Sequence, residues 1–270
     1  MVESEGGGTI WAAAASDIGL VRSRNEDGLW LGDGFLRTGH RSVSLDASTV
    51  QRGVLLAVAD GVGGAAAGDV ASKFVLEQMA RLVELQPAEL TDLTVGPWMQ
   101  KTAAAANDLL VERAKGRDET YGMSTTFTGV YFRDMLGCWI NAGDSRLYAF
   151  REGSLIQISR DHTLREMTGD PSIPGNIITN CFGTRNDFYL DFGLVWPVGH
   201  PTSADGIFLI CSDGLSDYAE HTTLESIMRG CATARSIHEL DAAAALLVNA
   251  ARAGGGGDNI TCMIVQHRGT

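Results

Sequence analysis

Four aspartates stand at the ends of apolar runs in this chain. Asp60 follows Val54-Leu55-Leu56-Ala57-Val58-Ala59 and precedes Gly61-Val62-Gly63-Gly64. Asp213 follows Ile207 to Cys211 and Ser212, and precedes Gly214. Asp144 lies in Gly143-Asp144-Ser145, just after Leu136 to Ala142. Asp258, with Asn259, joins a glycine run at Gly254 to Gly257 to the apolar run Ile260 to Val265. A carboxylate is almost never fully buried unless paired, so each needs a partner at its strand tip. Glycine lets the backbone turn and come close to that partner. Read singly, each is also what a turn aspartate looks like. Read together, converging tips would crowd carboxylates that cannot all stay ionised without cations. An all-oxygen site suits Mg²⁺, Mn²⁺ or Ca²⁺ rather than zinc or copper.

The elements that must position these acids follow from hydrophobic pattern. The runs ending in Asp60 and Asp213 read as strands buried on both faces. A first strand is expected over Thr9 to Ala15. A polar loop follows from Ser16 to Gly28, with Arg22 and Arg24 among Asp17, Glu26 and Asp27. Gly32 to Gly53 reads as a hairpin with an ornamented loop. Helical spacing marks Asp69 to Leu85, and Pro97 opens a second helix to Lys115. Short strands at meander spacing are expected at Thr125 to Phe132, Leu136 to Ala142, Arg146 to Phe150 and Leu155 to Ser159. Asp161 to Asn176 reads as irregular. Strands return at Ile177 to Cys181, Phe188 to Val195 and Gly206 to Cys211. Two helices, Thr222 to Arg229 and Ile237 to Ala253, precede a last strand from Ile260 to Gln266. Segregated runs of strands and helices argue α+β: two antiparallel sheets face to face, with a helix pair outside each.

Composition sets the class. The chain has 270 residues, 44% of them hydrophobic, and a formal net charge of -12. A surface that acidic excludes nucleic acid or an anionic membrane as main partner. The five cysteines are odd in number and show no Cys-x-x-Cys, which reads as reduced thiols of a cytoplasmic protein. No apolar stretch reaches membrane-spanning length. Residues 1–8 are acidic and glycine-rich, a flexible start, and 9–270 reads as a single domain.

In order, the chain carries Asp17-x-Gly-x-x-Arg22-x-x-Asn25-Glu26-Asp27; Ala59-Asp60-Gly61-Val62-Gly63-Gly64; Gly122-Met123-Ser124-Thr125-Thr126; Ala142-Gly143-Asp144-Ser145-Arg146; Asp161-His162-Thr163; Ser212-Asp213-Gly214-Leu215-x-Asp217; and Gly257-Asp258-Asn259-Ile260-Thr261. This series resembles the bacterial type 2C (PPM) metal-dependent Ser/Thr protein phosphatases from about Ala15 to Val265. The resemblance implies a four-layer α-β-β-α sandwich and hydrolysis of phosphoserine and phosphothreonine on proteins, opposing a Ser/Thr kinase in bacterial signalling. The implied cofactors are two Mn²⁺ or Mg²⁺ ions, with a third in some relatives. It implies that Asp60 bridges the two ions and holds the nucleophilic water. The Gly61 carbonyl, Asp213 and Asp258 complete the set, and Asp144 with Asp213 suits the third ion. Asp27 and Glu26 would act behind them through water. Arg22 would clamp the phosphate, since a guanidinium fork matches phosphate oxygens as lysine cannot. Asn259 would orient a water or support the loop. His162 is either a structural hydrogen-bonder or a catalyst. The expected partners are phosphorylated proteins, targets of the kinase or the kinase itself, met by a monomer.

The chain departs from the family at several points. Val62 stands where many eukaryotic members have His, and Ser124 where a Gly is usual. The family's Thr-Arg-Ala-Leu-Gly is Thr179-Asn180-Cys181-Phe182-Gly183, which lacks the basic residue. The flap, at about 163–177, is short, so short phosphopeptides are expected to be discriminated poorly.

Overall fold

The computed structural model describes residues 9–62, 67–115, 122–195 and 206–268. The flexible start expected at 1–8, and Gly63 and Gly64, lie outside the described residues. Two six-stranded antiparallel sheets form the centre. In the first, β4 (Gly39–Leu45) lies at one edge beside β1 (Thr9–Asp17) and β14 (Ile260–Arg268). Next come β13 (Ile207–Cys211), β10 (Arg146–Arg151) and the edge strand β11 (Ser154–Gln157). In the second, β12 (Asp191–Val195) pairs with β9 (Leu136–Ala142), then β8 (Phe127–Arg133), β5 (Val54–Ala59), β2 (Gly28–Leu31) and β3 (Phe35–Leu36). A two-residue ladder joins β6 (Gly61–Val62) to β7 (Ser124–Thr125).

Period-two alternation explains how both faces of these strands are buried. In β5, Leu56 and Val58 face the other sheet, while Leu55, Ala57 and Ala59 face helices. In β1, Ala12 and Ala14 lie between the sheets, and Ala13 and Ala15 face the opposite helices. Phe132 of β8 meets Phe208 of β13 across the gap, ring centroids 6.3 Å apart. Outside the second sheet, α2 (Gly68–Glu84) buries Val75, Met79 and Val83, and α3 (Val95–Ala114) buries Met99, Ala103, Ala106 and Leu110. Outside the first, α6 (His221–Cys231) and α7 (Ile237–Ala253) bury Leu224, Met228, Leu240 and Leu247. The expected sandwich of two sheets and two helix pairs is the fold.

The differences are local. Pro97 is in the first turn of α3 and does not open it. The Gly32 to Gly53 hairpin does not form. β3 pairs with β2 in one sheet and β4 with β1 in the other, so this segment crosses between layers before α1 (Ala47–Gln51). Ile177 to Cys181 is not a strand, making only an isolated bridge from Ile178 to Thr163, and β12 begins at Asp191 and not at Phe188. The irregular 161–176 segment contains a short helix, α4 (Leu164–Thr168). Its signals are present in sequence. Thr163 caps the N-terminus by accepting from Glu166 N–H, and Gly169 closes the helix at φ 69°.

Candidate active site

The second sheet delivers Asp60 and Asp144 to one end of the sandwich. Asp60 follows β5, and its N–H donates to Thr126 Oγ1 at 2.9 Å. Its carbonyl accepts from Thr125 Oγ1 at 2.7 Å and Thr126 N–H at 2.8 Å. Thr126 Oγ1 also pairs with Ser145 Oγ at 2.7 Å, so one buried hydroxyl ties the Asp60 tip to the Asp144 turn. Gly61 is required by close approach: a Cβ there would lie 2.4 Å from the Gly68 backbone at the start of α2.

The first sheet delivers Asp213 and Asp258 to the same end, because β13 and β14 are antiparallel neighbours. Asp213 opens α5 (Asp213–Ser216), directly after Ser212. A Cβ at Gly214 would sit 1.9 Å from the Asn259 carbonyl, so glycine lets these two tips touch. Ser212 Oγ donates to Asp27 Oδ2 at 2.8 Å, which brings the polar loop into the cluster. Asn259 supports that loop. Its Nδ2 donates to the Ile18 and Arg24 carbonyls at 3.0 and 2.8 Å, and its Oδ1 accepts from Glu26 N–H at 2.8 Å. A cavity of about 280 Å³ opens above these tips, lined by Arg22, Asp60, Gly61, Asp144, Asp213 and Asp258 among others. Glu26, Val62 and Asn259 also line it, and Asp27 is fully buried behind.

The acids perturb one another. Burial, then the charges of Asp27 and Asp213, hold the Asp60 carboxyl well above the usual range. Burial pushes Asp27 up to about 7, against the Thr261 hydroxyl nearby and the hydrogen bond from Ser212 Oγ. Burial and then Asp213 push Asp144 up to about 7, and burial and then Asp258 push Asp213 up to about 6. Glu26 is raised by burial and by Asp69.

Among the described residues, two buried carboxylate oxygens, Asp27 Oδ1 and Asp213 Oδ1, have no hydrogen-bond partner. An orphaned anionic oxygen beside further carboxylates is what a hard cation satisfies, so the donor set fits Mg²⁺ or Mn²⁺. Among the described residues, no three acids, histidines or cysteines close on one point as a ready-made shell. Arg22 Nη2 instead donates to Asp258 Oδ2 at 2.6 Å, drawing that carboxylate to itself. Arg24 is exposed and lends the network only its carbonyl.

His162 is outside this cavity. Its Nδ1 accepts from Gly143 N–H at 3.2 Å and Asn180 Nδ2 at 2.8 Å, while Nε2 is 3.0 Å from Asp191. These contacts make it a structural hydrogen-bonder that steadies the Gly143-Asp144 turn. Asn180, standing where the family has a basic residue, is buried and also donates to the Tyr189 carbonyl. Sequence reasoning gave no role to Ser212, Ser145 or Asn180. Ser212 and Ser145 each sit directly beside a motif aspartate, which is the signal that could have found them.

Comparison with known proteins gives the family. The protein phosphatase 2C family profile matches residues 42–247. The chain is 32% identical to the serine/threonine protein phosphatase PstP of Mycobacterium tuberculosis, over 94% of this chain and 44% of that protein. It thus spans less than half the length of that relative. It is 28% identical to the serine/threonine phosphatase stp of Listeria monocytogenes, over 93% of each. The PstP catalytic domain, solved in complex with two manganese ions, superposes with a TM-score of 0.72 at 28% identity, covering 96% of this chain and 99% of that one. The chain belongs to the protein phosphatase 2C family.

Proposed function

We propose that this chain hydrolyses phosphoserine and phosphothreonine on proteins with the help of divalent cations, opposing a bacterial Ser/Thr kinase in the cytoplasm as a single monomeric domain. One observation carries the reading. Strand tips from both sheets bring Asp60, Asp144, Asp213 and Asp258 to one cavity, with an arginine at its rim. Asp60, Asp213, Asp258 and the Gly61 carbonyl would hold two Mn²⁺ or Mg²⁺ ions, and Asp144 with Asp213 a third. When bound, such ions supply Lewis-acid charge and acidify water. Asp27, with its unpartnered Oδ1, and Glu26 would hold water behind them. Arg22 offers its fork to the phosphate oxygens on leaving Asp258, and steadies charge on the transferring group. The Val62 side chain has no dissociable proton, so no side chain at that position protonates the leaving oxygen.

The test is phosphate release from p-nitrophenyl phosphate and from a phosphothreonine peptide, in Mn²⁺ and in EDTA. Turnover of both in Mn²⁺ and of neither in EDTA is the expected result. Full activity after verified metal removal would refute the metal-dependent reading.

A further inference from the structure

The short flap places an arginine over the mouth of the site. The cavity of about 470 Å³ that Arg22 shares with Asp213 and Asp258 is also lined by Arg165, Asn176 and Asp217. Arg165 is in the second position of α4. That helix is anchored at its root: Leu164 N–H donates to the Ile177 carbonyl at 2.8 Å, and Thr179 N–H to the His162 carbonyl at 2.8 Å. Its guanidinium lies over Gly175, 3.1 Å from where a Cβ would stand, so a side chain there would crowd it.

The neighbouring arginines are already committed. Arg146 makes a bidentate pair with Asp161 through Nε at 3.0 Å and Nη2 at 2.7 Å. Arg160 Nε pairs with Glu166 at 3.0 Å. Arg165 gives its Nε to the Ile173 carbonyl at 2.6 Å, and among the described residues it has no carboxylate within ion-pair distance. Its two terminal nitrogens remain for a ligand. Around it the mouth is acidic, with Asp213, Asp217 and Asp258. With cations on Asp213 and Asp258, Asp217 is the acid left at this mouth, and a peptide carboxylate arriving beside it would be repelled unless a cationic side chain met it.

We propose that Arg165 is a specificity-determining residue that receives a carboxylate flanking the phosphorylated residue, so that the favoured substrates are phosphothreonine segments with neighbouring Asp or Glu. This rests on the phosphatase reading above. It replaces the expectation that a short flap discriminates poorly.

The experiment compares kcat/KM on p-nitrophenyl phosphate and on three phosphothreonine peptides of equal length, flanked by Asp, Ala or Lys. Arg165→Ala should lower kcat/KM on the Asp-flanked peptide by about three- to tenfold, the size of one partly exposed charged contact. The small ester, which has no flanks, should stay unchanged. Arg165→Lys should restore part of the preference, and Arg165→Glu should shift it toward the Lys-flanked peptide. An equal loss on every substrate would make Arg165 a structural tie to Ile173 and overturn the proposal, as would no loss on any peptide. A wild-type protein inactive on all substrates in Mn²⁺ would instead overturn the phosphatase reading itself.

Discussion

The Arg22 guanidinium and the Asp258 carboxylate meet at 2.6 Å across 236 residues of sequence. The phosphate-binding candidate and a cation-binding candidate therefore neutralise each other. The pair is partly exposed, with side-chain exposures of 47% and 28%, so it contributes about 0–1 kcal/mol. A dianionic phosphate can exchange for it at little cost.

That relationship makes Arg22→Ala informative in two directions. Losing a charged hydrogen bond to phosphate costs about 1.5–3 kcal/mol, or roughly ten- to a few-hundred-fold in kcat/KM. Mn²⁺ affinity should stay level or tighten, because Asp258 is released and a positive charge is gone. Arg22→Lys should recover part of the activity, and Arg24→Ala should be nearly silent. Calorimetric Mn²⁺ titration beside peptide kinetics checks this. A defect cured by extra Mn²⁺ alone would show that Arg22 serves the metals and not the phosphate.

Asp60→Asn and Asp213→Asn should abolish turnover while the fold persists. Each removes one charge from a cluster whose members raise each other's proton affinity, so thermal stability in EDTA should hold or rise. Circular dichroism melts together with phosphate release decide it. Retained turnover in either variant would remove that carboxylate from the metal set.

The same cluster sets a pH dependence. Asp27 and Asp144 move from an ordinary 3.8 up to about 7, and Asp213 up to about 6. Between those values the folded chain binds more protons than the unfolded one, so stability falls as pH rises. Each group contributes a slope of at most about 1.4 kcal/mol per pH unit. In EDTA, Tm should therefore drop between about pH 4 and 7, apart from acid effects elsewhere, and saturating Mn²⁺ should flatten the drop by replacing protons with cations. A Tm that climbs steadily over that window in EDTA would contradict the linkage.

Thr126→Val tests the tie between the two strand tips. It leaves the Asp60 N–H and the Ser145 hydroxyl without their shared partner in a buried place. An unsatisfied buried group costs about 1–3 kcal/mol, or roughly 2–10 °C in Tm for a domain near this size. Turnover should fall too, because Asp60 and Asp144 lose their common anchor, whereas Thr126→Ser should keep most of both. Wild-type Tm and turnover in Thr126→Val would mean the tips are held without this hydroxyl.

Much was written locally. Runs such as Val54 to Ala59 announce strands buried on both faces, helical spacing marks 69–85 and 237–253, each within a residue of the helix that forms, and an aspartate beside glycine marks each strand tip. These are short-range properties, set by side-chain period and backbone freedom, so sequence by itself determined the two sheets, the helix pairs and the aspartates at the strand tips. Partner choice was decided only in the folded chain. Phe35 and Leu36 sit a few residues from Gly39 to Leu45, yet they pair into opposite sheets, because β2 and β1 offer edges in different layers. Arg22 finds Asp258, Asn180 finds His162, and Arg165 comes to rest over Gly175 through contacts that no local pattern encodes. Such pairings depend on which tips, edges and charges the packed sheets bring within a few ångströms, and that proximity exists only once the core between them has closed.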